Sequence, residues 1–197
     1  VCSSDLGFRG KADAGEKVST YKDSATGITV ISLYGNKLKP GKEDLKDIDV
    51  MLFDIQDVGV RFYTYISSLQ YYMEAAIENN KHLIVLDRPN PNGHYVDGSV
   101  LDTSFRSFVG MQPVPVVYGM TIGEYAEMIL GEHWYDKKAY NWNKGEFDLT
   151  VIPCSNYDHT KYYELPVAPS PNLPNMQSIY MYPSTCFFEG TVISEGR

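Results

Sequence analysis

Apolar and polar positions divide the chain into a few clear segments. "TGITVISLYG" (26–35) is rich in β-branched residues and closes on Gly35, which predicts a strand. "KPGKEDLKDI" (39–48) predicts a loop entering a short helix. "IDVMLFDI" (48–55) is a nearly continuous apolar run ending in acid, the pattern of a parallel strand buried on both faces. "RFYTYISSLQYYMEAAIE" (61–78) sets Phe62, Ile66, Leu69, Met73 and Ile77 close to helical spacing. "KHLIVLDRPNPNG" (81–93) predicts a second buried strand running into a Pro/Asn/Gly loop. Strand, helix and strand at this spacing make a βαβ unit, hence an α/β domain on a parallel sheet.

Further on, "TIGEYAEMIL" (121–130) opens with Thr121 and has Glu124 three residues later, a capping box. Ile122, Tyr125, Ala126, Ile129 and Leu130 form the predicted buried face of that helix. "FDLTVIP" (147–153) predicts another strand. From about residue 153 the chain is rich in Pro, Asn and Tyr, and its periodicity is weak.

Composition narrows the function. The 197 residues carry 17 basic and 25 acidic side chains, a net charge of -8. With no Lys/Arg-rich run, nucleic acid is an unsuitable partner. No stretch approaches the ~18 consecutive apolar residues of a membrane span. Sixteen tyrosines stand out. They suit either core edges and strands or a surface that binds sugars or partners. Cys2, Cys154 and Cys186 lack CxxC spacing, which disfavours zinc. A Cys154–Cys186 disulfide is conceivable on sequence, and two separate buried thiols are the preferred expectation.

In an open parallel sheet, ligands bind beyond the carboxyl ends of the strands. Two polar clusters fall there. Asp54, Gln56, Asp57 and Arg61 follow one strand; Asp87, Arg88, Asn90 and Asn92 follow the next. If the strands are neighbours, both clusters face one crevice suited to a polyhydroxylated or anionic ligand. Structural roles compete. Asp57 can cap a helix starting near Val60, and Asp87 and Arg88 can pair with each other or with Arg61. Asp54 at a strand end can also hold Mg²⁺. Neither GxGxxG nor GxxxxGK[ST] is present, which weakens a nucleotide reading. There is no GxSxG elbow, and His82, His94, His133 and His159 are scattered without HExxH spacing, as surface or loop residues are. Carboxylates are left as the acid/base equipment: Glu16, Asp54, Asp57, Asp87, Glu189 and Glu195. A pair of carboxyl groups is what glycoside hydrolysis needs.

In order along the chain, "GFRG…AGEKV", "SLYG", "DIQDVGVRFYTYISSL", "VLDRPNPNG", "SFVG", "YGMTIGEYA", "PSPNLPN" and "FFEGTVISEGR" resemble the NamZ-type exo-β-N-acetylmuramidases, from Gly7 to Arg197. The resemblance implies a glycosidase of peptidoglycan turnover that releases N-acetylmuramic acid from non-reducing ends of cell-wall glycan fragments. It implies no metal or organic cofactor, and export to the periplasm or cell surface. It implies a Rossmann-like N-terminal domain over 7–152, truncated at its start, and the beginning of a smaller C-terminal α/β domain over 153–197. On its motifs, Asp54, Asp57 and Glu195 are candidate catalytic residues. Arg9, Gln56, Arg61, Tyr63, Tyr65, Asp87, Arg88, Asn90, Ser170 and Asn172 are candidate contacts to muramyl saccharides.

Two departures bear on activity. The family continues past "SEGR", so the sequence reads as an internal fragment. The family pattern P-E-H-G-F-R-G is represented by Gly7-Phe8-Arg9-Gly10, with Ser4-Asp5-Leu6 in place of Pro-Glu-His. The glutamate of that pattern is the family's best catalytic candidate, and Asp5 stands in its register. "VCSSDL" is also the in-frame translation of the end of a common short-read sequencing adapter, GTGTGCTCTTCCGATCT, so residues 1–6 are expected to be non-native. The fragment is therefore expected to be inactive. A non-catalytic cell-wall glycan-binding relative is the alternative, followed by a Mg-dependent α/β phosphatase-like enzyme.

Overall fold

The computed structural model describes residues 19–33, 35, 37–135 and 147–193, together with the backbone of Cys2–Ser3. The strands are β1 (Cys2–Ser3), β2 (Tyr21–Lys22), β3 (Thr29–Ser32), β4 (Val50–Phe53), β5 (His82–Leu86) and β6 (Leu149–Ile152). The helices are α1 (Lys42–Leu45), α2 (Tyr65–Asn79), α3 (Ile122–Gly131) and α4 (Met176–Thr185).

The expected α/β architecture is present. β4, β5 and β6 form a parallel sheet in that order. α2 connects β4 to β5, and α3 lies between β5 and β6. β3 pairs in parallel with β1 and antiparallel with β2. Met51 lies opposite Leu83, and Phe53 opposite Val85. All four are buried in one core with Leu69, Met73 and Ala76 of α2 and Ile122, Ala126 and Ile129 of α3. This face of the sheet supplies the main hydrophobic driving force, at roughly 25 cal/mol per Å² of apolar surface removed from water.

The other face differs from expectation. The apolar run through β4 predicts burial on both sides, yet Val50 is 47% exposed, Leu52 52% and Ile152 49%. Side chains alternate along a strand, and both helices pack on the Met51–Val85 side. An uninterrupted apolar run does not say which of its faces is covered.

Helix ends follow local chemistry. α3 is capped as its sequence predicts: Thr121 Oγ1 accepts from Glu124 N at 3.3 Å, and Glu124 Oε2 accepts from Thr121 N at 2.8 Å. Its predicted face is buried except for Leu130, which is half-buried. Replacing Thr121 with Ala is expected to cost about 1 kcal/mol, read as a lowered urea midpoint with an unchanged slope. α2 ends at Asn80, whose left-handed φ of 51° lets its N–H reach the Ala76 and Ile77 carbonyls. α2 starts four residues later than its apolar spacing suggests, at Tyr65. Arg61–Thr64 form turns instead, because Arg61 N and Tyr63 N donate to Val116 O and Val60 O.

The segment beyond β6 packs on the sheet-end loops. Leu173, Ile179 and Cys186 join Val58, Val60 and Val116 in a second apolar cluster. α4 within this segment is absent from the sequence-based expectation, and it carries Pro183 in its interior. Cys154 and Cys186 are free thiols, Cys186 buried and Cys154 half-buried. Burial pushes both up to about 11, which makes them weak nucleophiles near neutrality. Among the described residues no helix is long and apolar enough to cross a membrane.

Candidate active site

Adjacency of β4 and β5 brings the two polar clusters together. Arg88, just past β5, places Nε and Nη2 each 2.7 Å from Oδ1 of Asp54, just past β4. Both side chains are exposed, so the pair forms a solvent-facing edge of the crevice. Gln56 spans the same gap from beneath: its Nε2 donates to Asp57 O at 2.7 Å and to Pro89 O at 2.8 Å.

Asp57 sits deeper. Only 5% of it is exposed. Its Oδ2 accepts from Gly59 N at 2.7 Å and from the Tyr118 hydroxyl. Burial pushes its carboxyl up to about 6, although the Tyr118, Gly59 and Val58 hydrogen bonds pull the other way. The same burial, with the Asp57 charge beside it, holds the Tyr118 phenol well above its ordinary value. Asp57 caps no helix, since α2 begins at Thr64 and Tyr65. Its turn carries the chain through Gly59, which has φ 75°.

Several other candidates turn out to brace the crevice. Asp87 Oδ1 accepts from Arg88 N at 2.9 Å and from Gly123 N at 2.8 Å. A carboxylate there satisfies an orphan donor in the first turn of α3 and suits the positive end of the helix. Arg61, 6% exposed, donates Nη1 to the carbonyls of Ser99 and Val114. It pins the 99–114 connection and makes no ion pair with Asp87. Asn90 is buried; Nδ2 donates to Met120 O at 2.8 Å, and Oδ1 accepts from Asn92 N at 2.8 Å. Tyr63 donates its hydroxyl to Pro169 O at 3.0 Å and meets Tyr65 edge-on at 4.8 Å between ring centroids. Ser170 is buried and its Oγ accepts from Asn172 N at 3.0 Å; Asn172 itself is exposed. Asp5, Arg9, Glu16 and Glu195 lie outside the described residues.

Three site-forming side chains escaped sequence reasoning. Tyr118 reaches Asp57 from 61 residues away. Tyr157 donates its hydroxyl to Asn90 O at 2.8 Å. His159 bridges Gly93 O and Glu124 Oε1, both at 2.9 Å. No local pattern marks them: Tyr118 arrives on the segment before α3, and the pairing of β5 with β6 delivers the 153–163 loop that carries Tyr157 and His159. His82 also differs from expectation: it lies in β5, half-buried, with Nε2 2.9 Å from Thr150 Oγ1.

Chemically, the crevice offers an accessible carboxylate held by a guanidinium and a buried carboxyl that keeps its proton up to about pH 6. Together they cover charge stabilisation and proton donation. Among the described residues no group of three or more His, Cys, Asp or Glu side chains converges as a metal site would require.

Comparison with known proteins places the chain. The family described as "Exo-beta-N-acetylmuramidase NamZ, N-terminal" matches residues 1–177. The chain belongs to the NamZ family. It is 46% identical to the peptidoglycan beta-N-acetylmuramidase NamZ of Bacillus subtilis (strain 168), over 97% of this chain and 45% of that protein. Two crystal structures of DUF1343 family proteins from Bacteroides fragilis NCTC 9343 share the fold seen here. One is 47% identical with a TM-score of 0.81, covering 97% of this chain and 49% of its own. The other is 38% identical with a TM-score of 0.82, covering 95% and 46%. The chain thus spans about half the length of the relatives it matches.

Proposed function

We propose that this chain forms the N-terminal half of an exo-β-N-acetylmuramidase, a glycoside hydrolase of peptidoglycan turnover. The enzyme removes N-acetylmuramic acid from non-reducing ends of muropeptide-derived glycans, outside the cytoplasmic membrane. The observation that carries this reading is 46% identity to a peptidoglycan beta-N-acetylmuramidase across 97% of the chain. The crevice supports it, with Asp54 and Arg88 on its solvent edge and Asp57 behind them. In this reading Asp57 holds a proton for the reaction, Asp54 stabilises developing positive charge on the sugar, and Arg88 orients Asp54. The family's glutamate is not carried by this sequence, where Asp5 of the non-native stretch stands in its register, so the 197-residue chain is expected to show no turnover.

A chimera tests both statements. Residues 7–177 replace the corresponding stretch of the B. subtilis relative, whose own residues supply the remainder. Release of the chromophore from a β-linked chromogenic N-acetylmuramic acid is expected from the chimera and not from the 197-residue chain. A folded chimera that binds the substrate without releasing it would favour a glycan-binding protein. Release abolished by EDTA would instead point to metal chemistry at Asp54.

A further inference from the structure

The loop after β6 is fastened to the crevice through one imidazole whose two nitrogens both face oxygen acceptors. His159 Nδ1 lies 2.9 Å from the Gly93 carbonyl, and Nε2 lies 2.9 Å from Glu124 Oε1. A carbonyl oxygen accepts only, and so does an ionised carboxylate. Both ring nitrogens must therefore donate, and only the imidazolium does so. In the neutral ring one nitrogen turns a bare lone pair toward an oxygen, and one bond is lost.

The surroundings reinforce the charged form. The hydrogen bond accepted by Glu124 raises the affinity of His159 for its second proton, and the Gly93 carbonyl and Asp158 add to it against the effect of burial. Burial works to raise Glu124, but its hydrogen bonds with His159 and Thr121 hold it below the usual carboxylate range. Asp158 is engaged by Lys161 at 2.8 Å on the same loop. The Tyr157 ring packs edge-on to the imidazole, 5.9 Å between centroids. Asp87 and Cys154 act on the neighbouring Tyr157 phenol.

We propose that His159 is a proton-operated clasp and a positioning residue: its imidazolium ties the 155–163 loop to the Gly93 turn and to the first turn of α3, and loss of the proton breaks one of the two ties and loosens that loop. The same loop carries Tyr157, which hydrogen-bonds the backbone of Asn90, so the clasp sets how firmly the crevice wall after β5 is held. Occupants of the crevice bind a better-ordered wall at acidic pH than at alkaline pH. This holds whether or not the muramidase reading does.

The test is nuclear magnetic resonance on the 197-residue chain between pH 5 and 8.5. His159 is expected to titrate above the ordinary histidine value of ~6.5, and the Gly93 carbonyl carbon shift is expected to follow the same midpoint. Amide order parameters for 155–163 are expected to fall as pH rises through it. Glu124→Gln is expected to lower the His159 midpoint. His159→Lys, cationic throughout, is expected to keep the loop ordered at both ends of the range, and His159→Asn is expected to make its order independent of pH. A midpoint at or below the ordinary value, or loop order indifferent to pH in the unmodified chain, overturns the proposal.

Discussion

Gly59→Ala is expected to destabilise the chain by about 3 kcal/mol or more and to disorganise the crevice. Gly59 has φ 75°, where a Cβ costs about 1–2 kcal/mol through local sterics. The new methyl would also fall inside the carboxamide of Asn90. Asn90 is buried and its amide is committed to Met120 O and Asn92 N. Displacing it strands polar groups in the interior, at about 1–3 kcal/mol for each lost partner. For a chain of this size, 3 kcal/mol corresponds to a fall in Tm of roughly 6–12 °C. Gly27→Ala is the matched control. Gly27 has nearly the same φ, 71°, and its nearest outside atom is Lys22 Cε at 3.9 Å. It carries the backbone strain alone. Equal losses in the two variants would show that contact with Asn90 contributes nothing.

Asp57→Asn is expected to change the pH dependence of stability. In the folded chain burial pushes the Asp57 carboxyl from 3.8 up to about 6. Below pH 3.8 both folded and unfolded chains hold the proton and the shift is without consequence. Between about 4 and 6 the unfolded chain gives it up while the folded chain retains it, so this site's contribution falls as pH rises. Above about 6 the folded carboxylate is ionised and buried, a penalty on the order of 3 kcal/mol. The carboxamide has no proton to lose, and its oxygen still accepts from Gly59 N and Tyr118. The variant is expected to be more stable than the parent at pH 7.5, with the difference shrinking toward pH 4. Urea midpoints at four or five pH values measure it. Parallel curves for the two proteins would show that Asp57 titrates as an ordinary surface aspartate.

The elements foreseen correctly are those whose information is local. Thr121 and Glu124 are three residues apart and state the start of α3 by themselves. The runs before Asp54 and Asp87 announce β4 and β5, and strand ends of a parallel sheet are where polar clusters gather. α4 lacks such a signature: Ile179 is its one buried position, and Pro183 argues against a helix altogether. At the site, Asp54, Arg88 and Gln56 were legible because both clusters hang from adjacent strands. The burial of Asp57, Arg61 and Asn90 was not, since it depends on Tyr118, the Ser99 and Val114 carbonyls, and Met120. These partners arrive from elsewhere in the chain.

Pro183 also bears on the order in which the molecule assembles. A proline at this position cannot donate to the carbonyl four residues back, that of Ile179. Asn92 Nδ2 lies 3.4 Å from that oxygen and 2.9 Å from Val58 O. The missing rung of α4 is thus met by an amide 87 residues earlier in the chain. During synthesis from the N-terminus, the loop that presents Asn92 emerges well before Pro183 does. α4 then closes onto a surface already in place, with a donor waiting, and it has little reason to form in advance. In a refolding experiment α4 should gain hydrogen-exchange protection together with the loops that carry Val58 and Asn92 or after them, never ahead of them.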